Sequence, residues 1–503
     1  MAYRALQIIA SVAVILFVSV PLIAVWGKAE STTHWGPAEW QALRFTLIQA
    51  SLSALLSVML AIPVARALAR SQFWGRQWLI LMLGAPFILP TLVAILGLIA
   101  VFGQRGLLNG ALTSLGFESI SIYGLQGVLL AHVFFNLPLA TRMILLGWVS
   151  LPAERIRLAQ SLNLTPWQRF CVIEWPMLRA VLPSTAAVIF IICLSSFAVA
   201  LTLGGGPKST TIELAIYQAI RFEFDFALAA SLGLVQLLLS GGAAYALLLL
   251  GRQSDLGGGL DRSIVDNFRS FRERGLDSVV IVLASAFLLF PLALIAWKGI
   301  AGINSLPYFV WEAAGRSLVI ALSATLLCLL LAAPLCTRGG EMIGTLGIAI
   351  SPLVLGTGLF LILRPYINPF DVALLVTIFV NAVMSLPFVL RILRPQVETI
   401  HADYKRLSSS LGFTSIDFLR WVLLPRLKRS LAFAAGLSAA LSMGDLGVIA
   451  LFGDAENATL PLKLYQLMGS YRMEHASAAA VLLLLLSLGL FAMFNLLGRD
   501  HNA

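Results

Sequence analysis

Few side chains in this 503-residue sequence have the type and spacing to do chemistry. Asp445 stands inside an apolar stretch, 430–452, that reads as a membrane span. An acidic side chain at that depth costs about 2.5–3.5 kcal/mol on insertion scales, so it should face a cavity or a partner. Such a group on a solute pathway would suit a positively charged cargo; a helix-end cap or a structural hydrogen bond is the competing role. His132, Asn136 and Asn381 also fall in apolar stretches, where hydrogen bonds between helices are the expected use. The run Gly204-Gly205-Gly206-Pro207-Lys208-Ser209 invites comparison with a phosphate-binding loop. It has Pro207 before the lysine and Thr202 where the first glycine belongs, so a turn is the better reading. Cys171, Cys193, Cys328 and Cys336 show no metal or redox spacing. The five histidines are scattered, and no metal site is expected. Paired carboxyl groups and nucleophile–base sets are also missing from the pattern, so catalytic residues are not expected.

The elements that must position these residues are membrane helices. The chain is 59% hydrophobic and 12% charged, with mean hydropathy +0.92, whereas soluble domains carry about 25% charged residues. Apolar runs of roughly 20 residues, enough to span at about 1.5 Å per residue, recur twelve times. They lie near 5–26, 44–66, 79–102, 123–148, 180–203, 227–250, 276–297, 316–337, 343–363, 371–390, 430–452 and 476–497. The first is longer than a signal-peptide core and is read as a span. Phe222, Phe224 and Phe226 suggest an interfacial helix at the outer edge. With a cytoplasmic N-terminus, the inside segments hold 24 of the 34 Lys and Arg residues. Connections 66–78, 142–179, 252–274 and 391–429 contain most of that excess, so both termini are expected in the cytoplasm. The net charge of +10 is spread over one membrane face without a nucleic-acid motif.

Those spans fall into two copies of one pattern. An offset of 249 residues relates Pro138 to Pro387, Arg142 to Arg391, Leu158 to Leu407, Ser161 to Ser410, Thr165 to Thr414, Pro176 to Pro425 and Gly204 to Gly453. One residue then drops out, and Thr211 pairs with Thr459. An ungapped register through Pro, Arg, Thr and Gly indicates an internal duplication, and an even number of spans per copy makes it parallel. The expected organisation is an all-α integral membrane protein of about twelve helices. Its first six-helix half is 1–251, its linker 252–275 and its second half 276–503. The copies differ chiefly between Pro63 and Pro138, with most of the excess expected in an outer loop near 103–122.

The best-kept part of the duplication is a polar loop, 151–179 in the first copy and 394–428 in the second. Residues 153–162 read AERIRLAQSL and residues 402–411 read ADYKRLSSSL. In the first, Ile156, Ala159, Leu162 and Leu164 fall on one helical face. Asn163 and Gly412 stop the helices at residues tolerant of left-handed geometry, and Pro176 and Pro425 each follow 13 residues later. An amphipathic helix lying on the bilayer is the simpler alternative, but spacing repeated this closely suits a docking element for a two-fold partner.

That loop resembles the EAA motif of ABC-transporter permeases. Arg157-Leu158-Ala159 and Arg406-Leu407-Ser408 replace the opening triplet, Asn163 replaces the first glycine, and Gly412 and both prolines are kept. The resemblance implies that Ala153, Glu154, Arg157, Leu158, Ala159, Leu162 and Asn163 couple to an ATPase. In the second copy Ala402, Asp403, Arg406, Leu407, Ser408, Leu411 and Gly412 would do the same. The fused two-half architecture is similar to binding-protein-dependent permeases for thiamine and, more distantly, for ferric iron, and segments 123–142, 203–219 and 442–454 most resemble those for thiamine and thiamine pyrophosphate. By that likeness the chain is a transport subunit of the inner membrane and no enzyme. Two copies of a separate ATPase subunit would hold ATP and magnesium, this chain binding no cofactor, and a periplasmic solute-binding protein would deliver a small-molecule substrate. The pathway residues suggested are Asp445, its repeat counterpart Ser196, Asn136 and Asn381. A permease for ferric iron or another small solute, or a twelve-helix secondary transporter, remains the alternative.

Overall fold

The computed structural model describes residues 2–29, 35–83, 88–162, 164–249, 271–344, 346–347, 350–454 and 456–498, and among them there is helix and no strand. The N-terminal segment runs through α1 (Ala2–Ala29), α2 (Pro37–Arg70), α3 (Arg76–Met82), α4 (Thr91–Phe102), α5 (Leu107–Ser114) and α6 (Leu125–Val149). It continues with α7 (Ala153–Ser161), α8 (Pro166–Arg169), α9 (Trp175–Leu194), α10 (Phe197–Leu203), α11 (Ile212–Gln218) and α12 (Phe226–Leu249). The C-terminal segment opens with α13 (Phe271–Gly302), α14 (Tyr308–Leu335), α15 (Arg338–Gly344), α16 (Pro352–Leu363) and α17 (Ala373–Ser410). It closes with α18 (Ser415–Asp417), α19 (Leu424–Met443), α20 (Gly447–Phe452), α21 (Leu460–Gly469) and α22 (Met473–Leu497). Of the expected linker 252–275, residues up to 270 lie outside the described residues; from Phe271 the chain is helix.

Eleven described stretches are long and apolar enough to cross a membrane. The expected spans 79–102 and 343–363 are instead pairs of shorter helices, α3 with α4 and α15 with α16. Helices α4 and α16 have 12 residues each, about 18 Å of rise, short of a hydrocarbon core of about 30 Å; α4 reaches spanning length only together with α5, as the stretch Thr91–Ser114. Each starts beside a proline, Pro90 or Pro352, which cannot donate to a preceding helical turn. The expected spans 180–203 and 430–452 are each broken as well. Helix α9 stops at Leu194 and α10 starts at Phe197; α19 stops at Met443 and α20 starts at Gly447. The two breaks occupy repeat-related positions.

The two segments exchange their first helices. Helix α1 packs against α16 and α14 of the C-terminal segment and against α12, while α13 packs against α4 and α2 of the N-terminal segment and against α22. Glycines make the exchange possible. A Cβ on Gly97 of α4 would stand 2.8 Å from the Pro291 carbonyl of α13, and one on Gly358 of α16 would collide with the Pro21 carbonyl of α1. Close backbone approach of this kind admits only the smallest residues. Gly97 and Gly358 also locate the extra length of the first copy. Pro63 precedes Gly97 by 34 residues and Pro334 precedes Gly358 by 24, so nearly half the excess lies before α4 rather than in the outer loop.

A buried hydrogen bond is repeated in both segments. Thr46 Oγ1 accepts from the Ile212 backbone N–H at 2.9 Å, and Ser317 Oγ accepts from that of Leu460 at 2.8 Å. Each ties the start of a membrane helix to the N-terminus of α11 or α21.

Candidate functional site

The two repeat loops are built alike from local chemistry. The Leu164 N–H donates to the Ala159 carbonyl at 3.2 Å, and that of Phe413 to Ser408 at 3.0 Å, closing both helix ends with the same wide turn. Gly412 has φ +71°, the left-handed geometry its position requires; Asn163 lies outside the described residues. A capping box follows in each copy. Thr165 N–H donates to Gln168 Oε1 at 2.9 Å while Gln168 N–H donates to Thr165 Oγ1 at 3.3 Å. In the second copy Thr414 N–H donates to Asp417 Oδ2 at 3.0 Å and Asp417 N–H donates to Thr414 Oγ1 at 3.2 Å. The Thr414 side chain and backbone hold the exposed Asp417 carboxyl below the usual carboxylate range. Both stretches then widen into a π-helical turn, Phe170–Glu174 and Phe418–Leu423.

The exposed surface of these loops is apolar where solvent alone would favour polar residues. Leu158 is 60% exposed, Leu162 62%, Leu407 55% and Leu411 62%. Ala159 and Ser408 turn inward and are buried. The face expected to unite Ala159 with Leu162 is therefore divided, because Ala159 is buried and Leu162 is exposed. Glu154, Ala402, Asp403, Arg406 and Gly412 are exposed; the side chains of Ala153, Ile156 and Arg157 lie outside the described residues.

What supports the loops differs between the copies. In the first, Glu174 is buried and pairs with Arg66 at 2.8 Å and with Arg70, joining the turn before α9 to the end of α2. In the second, the repeat position of Glu174 is Leu423. There Arg394 on α17 pairs with Glu341 of α15 and, at 3.0 Å, with Glu398.

The broken helices meet at a cavity of about 360 Å³ lined by both segments. Of the four expected pathway residues, Asp445, Ser196 and Asn136 line it. Asn381 is not among the lining residues; its Nδ2 donates to Ser442 Oγ at 2.9 Å. His132 lines the cavity with one ring nitrogen 2.9 Å from Ser53 Oγ and the other 2.7 Å from Ser196 Oγ. Asn136 Nδ2 donates to Cys193 Sγ at 3.3 Å. Asp445 Oδ1 accepts from the Gly447 N–H at 3.2 Å, capping α20, while its buried Oδ2 has no hydrogen-bond partner. The capping role is thus observed for one oxygen of a residue that also lines the cavity.

Sequence reasoning missed Glu213. It is 1% exposed and lines the same cavity. It lies on α11, between the expected spans 180–203 and 227–250, so an argument from membrane depth did not reach it. The glycine run is a turn: Gly205 and Gly206 have φ +72° and +135° and lead into a 3₁₀ turn at Pro207–Ser209. Phe222 and Phe224 are exposed, but Phe226 is buried and stacks on Phe360 with ring centroids 5.7 Å apart. It joins the segments instead of anchoring an interfacial helix. Among the described residues no group of three His, Cys, Asp or Glu side chains is placed to hold a metal ion.

Residues 57–251 match the family of binding-protein-dependent transport system inner membrane components. The chain is 39% identical to the thiamine transport system permease protein ThiP of Salmonella typhimurium, over 95% of this chain and 94% of that one. It is 41% identical to the protein of the same name from Escherichia coli, over 92% and 90% of the two chains. With that of Brucella abortus the identity is 38%, over 97% and 93%.

Proposed function

The chain belongs to the family of thiamine transport system permeases, multi-pass inner membrane components of binding-protein-dependent transport systems, and from that membership we propose that it carries thiamine and thiamine phosphates across the inner membrane as the permease of an ATP-driven importer. Substrate arrives from a periplasmic binding protein and crosses between the two six-helix halves, 1–251 and 276–503. The residues that would meet it are those at the helix breaks, Asp445 and Ser196, with Asn136 beside them and Asn381 behind Ser442. Energy comes from two copies of a separate ATPase subunit, which hold the ATP and magnesium. Both termini and the two repeat loops face the cytoplasm in this reading.

The observation that supports coupling at the loops is the exposure of Leu158, Leu162, Leu407 and Leu411 at the ends of two helices with matching terminal turns. Exposed apolar groups on a polar loop are a feature of docking surfaces. Two such groups at repeat-related positions fit a partner present in two copies. The ATPase would cover these leucines while Ala153, Glu154, Arg157, Ala159 and Asn163 shape the first docking helix. Ala402, Asp403, Arg406, Ser408 and Gly412 shape the second.

The test is co-purification. Replacing Leu158 and Leu407 together with Asp should abolish recovery of the ATPase subunit with the permease and stop ATP-dependent thiamine uptake into proteoliposomes. Full recovery of the ATPase with the double variant would refute docking at these loops. Uptake that continues without ATPase and follows a proton gradient would refute the importer reading itself.

A further inference from the structure

Two acidic side chains reach the cavity between the segments, and they come from non-equivalent places in the duplication. Asp445 lies at the break between α19 and α20, where the first copy has Ser196. Glu213 lies on α11, where the second copy has Pro461. Each segment therefore supplies one acid, and among the described residues no arginine or lysine lines the cavity.

Neutral groups alone hold Glu213. Gln236 Nε2 donates to its Oε1 at 3.3 Å, and α11, which carries Glu213, packs against α16 of the other segment, which begins just after Ser351. Ser351 Oγ in turn accepts from the Leu353 N–H at 3.1 Å, capping α16. Gln236 and Ser351 are themselves buried. A buried acidic group is ordinarily matched by an opposite charge, and an intramembrane one marks a functional site with a partner to be named. Among the described residues no Arg or Lys fills that role in the cavity, and Asp445 Oδ2 is buried without any hydrogen bond. The cavity volume, about 360 Å³, falls within the range of small-molecule sites, roughly 300–1,000 Å³. Phe135 and Phe197 add aromatic surface to its wall, which favours a cation further.

We propose that Glu213 and Asp445 form one recognition site for a cationic organic solute in transit, and that Glu213 sets its preference for positive charge. The proposal rests on the importer reading above. A cation held between the two acids draws on one group from each segment, so the site is complete only while α11 stays packed against α16. As the segments move apart, the cation loses one of its two partners and is released.

Proteoliposomes containing the permease, its ATPase and a saturated binding protein provide the assay. Uptake of labelled thiamine is compared with that of thiamine pyrophosphate, whose phosphates offset the positive charge. Glu213→Gln should lower thiamine uptake at least tenfold and thiamine pyrophosphate uptake much less, with ATPase assembly and basal hydrolysis unchanged. Glu213→Asp keeps the charge on a shorter side chain and should retain the preference for thiamine. Asp445→Asn should reproduce the loss seen with Glu213→Gln. Equal losses for both cargoes, or an unchanged preference in Glu213→Gln, would overturn the proposal. Failure of the wild-type assembly to take up thiamine at all would instead bring down the importer reading, and the inference with it.

Discussion

The two repeat loops end in the same turns, yet they hang from different supports. In the N-terminal segment α6 stops at Val149 and α7 starts at Ala153, whereas α17 runs unbroken for 38 residues from Ala373 to Ser410. That is about 57 Å of helix at about 1.5 Å per residue. Both helices tolerate prolines within their length, Pro138 in α6 and Pro387 and Pro395 in α17, but one position separates the copies at the break. Pro152 forces Leu151 out of helical geometry and removes a backbone donor, while its repeat counterpart is His401, which does neither. The hinge made by Pro152 is then pinned by the buried Arg66–Glu174–Arg70 cluster. The continuous helix has only the more exposed Arg394 pairs. One loop is jointed and clamped; the other is a lever fused to its membrane helix. The copies share the terminal turn and differ in what stands behind it.

Breaking the clamp should have the largest effect. Glu174→Ala leaves two guanidinium groups facing a buried site, a loss of roughly 3–5 kcal/mol for removing one member of a buried pair. It should appear as a lower unfolding midpoint of the detergent-solubilised protein, with Glu341→Ala costing distinctly less because Arg394 keeps Glu398. Putting the hinge into the lever comes next. His401→Pro should cost about 3 kcal/mol or more and uncouple ATP hydrolysis from uptake, while Pro152→Ala should leave stability nearly unchanged. Equal losses from those two variants would show that the joint is not a distinguishing feature.

The exchanged helices give a third, smaller contrast. Gly97→Ala and Gly358→Ala should each destabilise by about 1–3 kcal/mol through overpacking. Gly358→Ala should be the worse of the two, since its Cβ collides with the Pro21 carbonyl while that of Gly97 stands 2.8 Å from Pro291. Thermal unfolding of the two variants checks the order.

The smallest difference lies in the capping boxes. Asp417 has its folded-state ionisation shifted below the usual carboxylate range, so its contribution is present above that range and is lost as pH falls through the folded value. Gln168 in the first copy does not titrate. Hydrogen exchange at the start of the second loop should therefore quicken at strongly acid pH, while the first loop stays unaffected. Replacing Asp417 with Asn should remove the difference.

Much of this architecture was legible in advance. Hydropathy located the membrane helices, and Gly412 announced the end of the second loop helix because a left-handed cap is decided within a few residues. The breaks at Ser196 and Asp445 were not legible, since the flanking sequence is as apolar as a continuous span. Glu213 was invisible for the opposite reason: it sits between apolar runs, where an acidic residue is unremarked.

By itself the sequence determined that this is a membrane protein, that it is a duplication, and where its matched loops lie. Those properties are periodic or local, and each residue reports them through its own hydrophobicity or backbone preference. Tertiary structure alone decided that α1 and α13 change places, that two broken helices share one cavity, and that Glu213 and Asp445, 232 residues apart, reach it together. Convergence of that kind depends on which helices pack against one another, and spacing along the chain does not encode distance across it.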